Sequence, residues 1–191
     1  MSDVTPEHGF SIQGSEPRSA AERKKRELFL GYLDAVLNPK EMESRFAPDF
    51  WPHDLIPGDQ RPPVGVGTQA MSGFRETINS AFTTVRSAEG AWIEDDTELS
   101  EVAGGADPRD LVGASMVVTY VHDGGPLTLP GVAVGEHAVA EAALVYEPSG
   151  KDVIVEVADV MRVDDDGLVT DRWNRISMED FIRQLDQNRK S

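Results

Sequence analysis

Apolar residues in the N-terminal half of the chain recur every three and four positions, which is typical of amphipathic helices. Residues 19–38 predict a first helix, 39–47 a short helical turn, and Thr68 to Val85 a longer helix. The apolar face of this longer helix carries Met71, Phe74, Ile78, Ala81, Phe82 and Val85. The first half of the chain is therefore predicted to be mainly helical.

Two N-terminal segments lack such a period. Residues 1–17 are rich in Gly, Pro, Ser and Glu and predict a disordered tail. Residues 48–67 contain too many prolines and glycines for regular structure and predict a long loop. Loops of this length often carry functional residues.

The second half changes to short runs of β-branched and apolar residues separated by turns. The predicted strands are 92–99, 111–121, 132–146, 153–163 and 168–175, and Ser177 begins a closing helix. Helices followed by a meander of strands indicate an α+β fold with an antiparallel sheet. A curved sheet covered by helices leaves a concave face, which is a natural small-molecule pocket.

Composition narrows the classes of function. The 191 residues suit one domain, predicted here over 18–191, and no apolar run is long enough for a membrane span or a signal peptide. The absence of cysteine excludes disulfides, thiol catalysis and Cys-ligated metals, and it fits a cytoplasmic location. A net charge of −16 argues against nucleic acid and membrane partners.

Familiar cofactor and metal motifs are weak or missing. Residues 65–70 match a dinucleotide fingerprint, but a loop precedes them where a strand is required, so a flexible lead-in to the helix is favoured. The four histidines show neither an H-x-x-x-H nor an H-x-H spacing, and no metal is expected. The run Asp164-Asp165-Asp166-Gly167 predicts a hairpin turn.

Asp159 is the strongest candidate for catalysis. Strand alternation places it on one face with Val157 and Met161. A carboxyl group on an apolar face should have a raised pKa, which suits general acid–base work. The alternative is a structural ion pair with an arginine such as Arg175.

Other polar and aromatic residues are weaker candidates. His122 ends the inward row of its strand, or is a surface residue of the turn after it. His53 lies in the predicted loop. Trp173 is expected to pack in the core, and Asn174 has the opposite parity, so only one of these two can line a pocket.

Several short motifs occur in a characteristic order. They are RFAPDFWPHD at 45–54, a G-x-G before the long helix, TYVHDGG at 119–125, PLTLPG at 126–131, the hairpin SGKDVIVEVADVMRVDDDGLV at 149–169, and DRWN at 171–174. Together they resemble the SnoaL-like polyketide cyclases of the nuclear-transport-factor-two-like superfamily. The resemblance covers about residues 24–186.

The resemblance implies a cone-shaped, strongly curved antiparallel sheet wrapped by N-terminal helices, a cystatin-like α+β barrel. It implies a cofactor-independent cyclase or isomerase of natural-product biosynthesis that acts on a small hydrophobic polyketide-like substrate, and a homodimer. Asp159 would be the acid or base, and His122 and His53 would orient it or stabilise an oxyanion. The implied substrate-binding residues are Tyr120, Asn174, Trp173, Met161 and Trp51.

The chain also departs from the family pattern. Arg172 and Asn174 stand where the family has Glu and Asp, and an extra β-hairpin segment is predicted near 131–148. Two alternatives therefore stay open. One is an epoxide-opening hydrolase or cyclase of the limonene-epoxide-hydrolase type. Such enzymes need two aspartates held by one arginine, and Asp159 with Arg172 or Arg175 would supply only half of that arrangement. The other is a non-enzymatic binding module of the same fold.

Overall fold

The computed structural model describes residues 10–36, 39–129, 133–134, 138–139 and 143–189. The helices are α1 (Ala20–Ala35), α2 (Pro39–Glu43), α3 (Val66–Ala81), α4 (Asp96–Val102) and α5 (Met178–Arg189). The strands are β1 (Ser11–Gln13), β2 (Phe46–Pro52), β3 (Thr84–Trp92), β4 (Leu111–Val121), β5 (Leu127–Leu129), β6 (Ala133–Val134), β7 (Ala138–Val139), β8 (Leu144–Tyr146), β9 (Asp152–Val163) and β10 (Val169–Ile176).

Six strands form one curved sheet in the order β1-β3-β4-β9-β10-β2. The four central strands are antiparallel, whereas β1 and β2 join the two edges in parallel. The predicted α+β class and antiparallel sheet are confirmed. The sheet is not a closed barrel, because β1 and β2 lie at opposite edges and do not pair with each other.

The N-terminal helices cover one face of this sheet, here called the inner face. Phe29 and Tyr32 of α1 and Met71 of α3 pack in one core cluster with Ala114 and Met116 of β4. The predicted wrapping by N-terminal helices is therefore observed. Burial of these apolar side chains, worth about 25 cal/mol per Å², holds the helices against the sheet.

The opposite, outer face is partly covered by α4. Leu99 and Val102 of α4 pack with Val160 of β9, and Trp173 of β10 contacts the same cluster. A third cluster joins α5 to Phe82 and to β5 and β8. It lies toward the β9 residues Val153 and Val155.

The segment before α1 differs from the sequence prediction. Residues 11–13, predicted within the disordered tail, form β1 and pair with Glu89 to Ala91 of β3, and Phe10 is buried. A three-residue edge strand is held by main-chain hydrogen bonds and shows too little apolar alternation to be recognised. Residues 1–9 of the predicted tail lie outside the described residues.

Three predicted boundaries are also wrong. The predicted loop at 48–67 begins within β2. The long helix ends at Ala81, before its predicted end at Val85, because Asp123 accepts hydrogen bonds from the Thr83 amide and hydroxyl and from the Thr84 hydroxyl as the chain turns into β3.

The second half of the predicted strand at 92–99 belongs to helix α4, and only Trp92 belongs to a strand, at the end of β3. Asp95 caps this helix and accepts from the amides of Thr97 and Glu98, at 2.7 and 3.1 Å. The capping aspartate was the start signal, and it outweighs the strand-like composition around Trp92 and Ile93.

The glycines of the rejected dinucleotide motif have structural roles. Gly65 precedes α3 with φ of 82°, in the left-handed region that favours glycine. A Cβ on Gly67 would lie 1.9 Å from the Phe50 carbonyl oxygen, so this glycine lets α3 approach β2 closely. The preference for a lead-in to a helix agrees with this geometry.

Two further expectations concern surfaces. Within the predicted extra segment at 131–148, β6 pairs with β7, and β8 pairs back with β5; its other residues up to 142 lie outside the described part. None of the described helices is both long and apolar enough to cross a membrane. The homodimer stays a prediction.

Candidate functional site

Strand pairing brings Asp159 and Arg172 together on the inner face. In the β9–β10 ladder Asn174 lies opposite Asp159, and Arg172 lies opposite Met161. Directly opposed residues share a face of the sheet. Asp159 and Met161 are both buried, at 2% and 0% exposed, so the alternation predicted for β9 is confirmed.

A β-bulge determines which residues of β10 face inward. The register shifts between Val169 and Asp171, and both Val169 and Arg172 face the inner core although they are three residues apart. An extra residue in a strand reverses the parity of the residues after it. The bulge therefore turns Arg172 and Asn174 inward and Asp171 and Trp173 outward.

Arg172 links two carboxyl groups. Its Nη2 donates to Asp159 Oδ2 at 3.1 Å, and its Nε lies 2.9 Å from Asp159 Oδ1 without hydrogen-bond geometry. Its Nη1 donates to both oxygens of Asp54, at 3.2 and 3.0 Å. The three residues form the set Asp54–Arg172–Asp159, here called the carboxylate–arginine triad.

The local fold explains why Asp54 reaches this arginine. Strand β2 runs parallel to β10 with Pro52 opposite Arg172, and the His53 amide donates to the Arg172 carbonyl at 2.9 Å. Asp54 follows at once, so its side chain meets the guanidinium. Asp159 thus forms the ion pair that was considered as the alternative, and its partner is Arg172. Arg175 is exposed and donates to the Glu101 carbonyl.

The residues of the triad differ in how deeply they are buried, and this difference affects their pKa values. Asp159 and Arg172 are almost fully buried, while the Asp54 side chain is 18% exposed. Burial raises the pKa of Asp159, and Arg172 only partly opposes this. Burial also works against the charge of Arg172, but Asp159 outweighs it and raises the pKa of Arg172, which stays protonated. One guanidinium cannot neutralise two carboxylates, so Asp159 holds its proton more tightly than a solvated aspartate does.

Tyr32 and Arg75 are further polar residues of this interior, and sequence reasoning missed both. The Tyr32 ring centroid lies 6.0 Å from the Arg172 guanidinium carbon, and its hydroxyl is buried with no hydrogen-bond partner in the described chain. Arg75 of α3 is 9% exposed, and its Nε likewise lacks a partner there. The signal for Arg75 was available, because Met71, Arg75 and Ile78 lie at helical spacing, whereas the predicted face residue Phe74 is 37% exposed.

The structure does not bring His53 to Asp159. Its ring stacks between Trp51 and Trp173, with centroids 4.1 and 4.5 Å away, and its Nε2 lies 3.1 Å from Asp171 Oδ1. All of these partners belong to the outer face. His53, Trp51 and Trp173 are therefore separated from Asp159 by the sheet, contrary to the expected shared pocket.

His122 also lies away from Asp159. Ala114 is opposite Asp159, and His122 is eight residues further along the chain, which is about 25 Å in an extended strand. It is 1% exposed beside Phe82, so the surface-turn alternative is wrong, and burial lowers its pKa. Tyr120 lies at this same end, 5.5 Å from the Phe82 ring centroid. Of the proposed site residues, the structure groups Asp159, Met161 and Asn174.

The triad lies away from two surface cavities. One of about 290 Å³ lies beside α1 and β4 and includes Arg26 and Trp92, and one of about 550 Å³ lies on the outer face and includes Val117 and Ala158. Neither is lined by Asp159. Among the described residues no three His, Asp or Glu side chains are grouped as metal ligands.

Solved structures share this arrangement of helices and sheet. A protein from Jannaschia sp. CCS1 that carries the name SnoaL-like polyketide cyclase aligns with 93% of this chain and 99% of its own, with a TM-score of 0.56 and 16% identity. The chain has the SnoaL-like fold. The family resemblance of the sequence motifs is thereby confirmed for the fold.

Other proteins with the SnoaL-like fold carry different functional names. AclR from Streptomyces galilaeus, named a hydroxylase, covers 88% of this chain and 83% of its own at a TM-score of 0.55 and 19% identity. SalBIII, named an epoxide hydrolase/cyclase-like enzyme in pyran ring formation, covers 83% and 95% at a TM-score of 0.51 and 14% identity. No protein-family model and no curated protein sequence matches the chain.

Proposed function

We propose that the protein is a cofactor-independent enzyme that opens an epoxide of a small, apolar, polyketide-like molecule, by water or by an internal hydroxyl. The carboxylate–arginine triad carries this proposal. Arg172 holds two carboxyl groups of unequal burial at one place, and epoxide opening needs an acid and a base together. The names of the cyclase and epoxide hydrolase/cyclase-like neighbours support the class.

The two carboxyl groups have distinct roles in this reaction. Asp159, whose pKa is raised by burial, donates its proton to the epoxide oxygen as the carbon–oxygen bond breaks. Asp54, which reaches solvent, accepts the proton of the attacking water or hydroxyl as the new carbon–oxygen bond forms. Arg172 holds both groups in position, and solvent returns the proton from Asp54 to Asp159 after each turnover.

Ring closure by carbon–carbon bond formation is a second candidate. Asn174 lies opposite Asp159 on the inner face, where its amide can donate to a substrate carbonyl. Asp159 would then act alone as the base that removes a proton beside that carbonyl. This reaction uses Asp54 only to position Arg172, so the two candidates differ in what they demand of Asp54.

Turnover by carboxamide variants tests the proposal. The purified protein is incubated with hydroxy-epoxides of five to ten carbons and with β-dicarbonyl compounds, and products are separated by mass spectrometry. We expect epoxide opening, and we expect Asp159→Asn and Asp54→Asn each to reduce it by about 10²- to 10⁴-fold. In ¹⁸O-water, label appears in diols and is absent from cyclic ethers.

Asp49→Asn is the matched control, because Asp49 is an exposed aspartate of β2, close in sequence to Asp54. It should keep full turnover, and circular dichroism should show that all three variants fold. Unchanged epoxide turnover in Asp159→Asn would overturn the assignment. If Asp159→Asn loses turnover of the β-dicarbonyl compounds while Asp54→Asn keeps it in full, the carbon–carbon reaction is favoured.

A further inference from the structure

Arg75 is a largely buried cation with no ion-pair or hydrogen-bond partner among the described residues. It is 9% exposed, its Nε is buried without a hydrogen bond, and none of the described carboxylates lies within ion-pair distance. Its one contact of note is with the adjacent Phe74 ring, 5.7 Å from the guanidinium carbon. Buried polar atoms in proteins are normally paired, so the buried Nε of Arg75, which has no hydrogen bond in the described chain, indicates a partner from outside it.

The position of Arg75 on α3 indicates where such a partner would bind. The residue lies on α3 between Met71, which packs in the core between α1 and β4, and Ile78, which packs toward the α5 cluster. Burial raises the pKa of Asp159 and of Tyr32, and the charge of Arg75 acts to lower both. Arg75 therefore lies within electrostatic reach of the triad.

Tyr32 supplies a second unpaired donor from another element. Its ring is fully buried on α1, and its hydroxyl has no partner among the described residues. Burial raises its pKa, so the hydroxyl is neutral and can donate a hydrogen bond. Tyr32 packs in the same core cluster as Met71, which lies one turn before Arg75 on α3, and beside Arg172 of the triad.

The charges and donors around Arg75 limit the partner to one negative charge. A carboxylate accepts two parallel hydrogen bonds from a guanidinium, one on each oxygen, and each oxygen keeps a lone pair that can accept from a phenol. Asp54 and Asp159 are close by, and the chain carries a net charge of −16, so a dianionic phosphate meets strong repulsion. The neighbours Met71 and Ile78 offer apolar contact and no further donors.

We infer that the substrate is an apolar carboxylic acid whose carboxylate binds Arg75 and the Tyr32 hydroxyl. This inference rests on the proposed function for the reacting end of the molecule, which meets Asp159. With its carboxylate held by Arg75, a substrate reacts only if its epoxide lies at the right distance from that carboxylate to reach Asp159. Arg75 therefore determines which substrates react.

Binding of matched probes tests the inference without turnover. 2-Naphthoate, its methyl ester and 2-naphthylmethanol share one apolar body and differ in charge, and their affinities are measured by titration calorimetry. We expect the carboxylate to bind at least tenfold more tightly than the ester or the alcohol. Arg75→Gln should remove this preference, Arg75→Lys should reduce it, and Tyr32→Phe should weaken 2-naphthoate binding several-fold.

Two controls separate the possible explanations. Arg86→Gln removes an exposed arginine of β3 and should leave the preference unchanged. Acetate or inorganic phosphate that displaces 2-naphthoate at equal concentration would indicate a general anion site and would overturn the inference. So would a carboxylate preference that survives in Arg75→Gln, or wild-type protein that binds the three probes equally or not at all.

The inference and the proposed function fail in distinguishable ways. Asp159→Asn should keep the preference for 2-naphthoate while it loses turnover. If the wild-type protein prefers 2-naphthoate but turns over no epoxide, the carboxylate site is supported and the proposed reaction is overturned. Turnover of neutral epoxides as fast as of epoxy-acids would leave the reaction standing and overturn the role of Arg75.

Discussion

Asp171 and Arg172 are adjacent in β10, yet they belong to two charged clusters that face opposite sides of the sheet. On the outer face the Asp171 carboxylate accepts from Arg61 at 2.9 and 3.0 Å, from Arg162 at 3.3 Å and from Thr170 at 2.9 Å, and it contacts His53. Burial opposes its charge, but the hydrogen bonds of His53 and Arg61 outweigh this and lower the pKa of Asp171 to about 2.

The inner cluster has fewer donors for its carboxyl groups. Arg172 serves Asp54 and Asp159 together, and burial leaves the pKa of Asp159 raised. Around it, the Tyr32 hydroxyl and the Arg75 Nε remain without partners in the described chain, whereas on the outer face only the Nε of Arg162 does. Asp159 and Asp171 are equally buried, at 2% exposed each, and their pKa values shift in opposite directions.

The contrast separates two uses of buried charge. A carboxylate with donors on every side is fixed in one protonation state and ties its elements together, here β2, β9, β10 and the Arg61 loop. A carboxyl group that shares one donor can gain or lose a proton, and unpaired donors beside it can bind a ligand. We therefore assign a structural role to the outer cluster and a functional role to the inner one.

The largest expected effect comes from removal of the shared arginine. Arg172→Met leaves two carboxyl groups close together without their cation, and loss of one partner from a buried ion pair costs about 3–5 kcal/mol. Urea unfolding at pH 7 should show a decrease of this size. The control Arg183→Gln removes an exposed arginine of α5 and should change stability by less than about 0.5 kcal/mol.

A decrease below about 1 kcal/mol in Arg172→Met would show that the inner ion cluster contributes little to folding. The contrast between the two faces would then rest on ligand binding alone. The urea slope checks that the variant unfolds in the same two-state manner.

Asp171→Asn should have the next largest effect, and its dependence on pH has a defined sign. The folded pKa of about 2 lies below the ordinary value of 3.8, so the stabilisation is complete above about pH 5 and is lost as pH falls toward 2. The shift of about two pKa units corresponds to about 2 kcal/mol. The variant should be less stable than wild type by this amount at pH 7 and by only about 0.4 kcal/mol at pH 2, where Asp171 is half protonated.

Unfolding in urea from pH 7 to pH 2 measures this convergence, with Asp165→Asn in the exposed turn after β9 as the control. A difference between Asp171→Asn and wild type that stays constant with pH would mean that lost packing, and not the charge of Asp171, stabilises the outer cluster.

The sequence predicted the inner site in part, for local reasons. Alternation along β9 needs only neighbouring residues, and it placed Asp159 and Met161 on the inner face. The partner of Asp159 was less accessible, because the bulge near Thr170 reverses the parity of β10 and no residue pattern marks it. Asp54 was missed because its place depends on β2 pairing with a strand more than a hundred residues later.

Side-chain type also misled the prediction in two places. His53 was expected at the site because it matches the first-loop histidine of the family that the sequence resembles, but stacking between Trp51 and Trp173 holds it on the outer face. Phe74 was assigned to the buried face of α3 because it is apolar, and Arg75 was not considered because it is charged. Period alone, taken without regard to polarity, places Arg75 in line with Met71 and Ile78.

The smallest expected effect is the change of stability in Asp159→Asn, and its dependence on pH has the opposite sign to that of Asp171→Asn. Because the folded pKa of Asp159 is raised, its contribution is complete below about pH 4 and is lost as pH rises through the folded pKa. Below the ordinary aspartate pKa of 3.8, protonated Asp159 and the asparagine that replaces it are both neutral, so the variant and wild type should unfold within about 1 kcal/mol of each other there. Above that pH only wild type bears the cost of a second buried negative charge, so the variant gains on wild type as pH rises toward 8. Urea unfolding across this range checks the direction. If the variant instead becomes less stable relative to wild type as pH rises, Asp159 is stabilised as a carboxylate like Asp171. The distinction between a fixed outer cluster and a protonatable inner one would then fail.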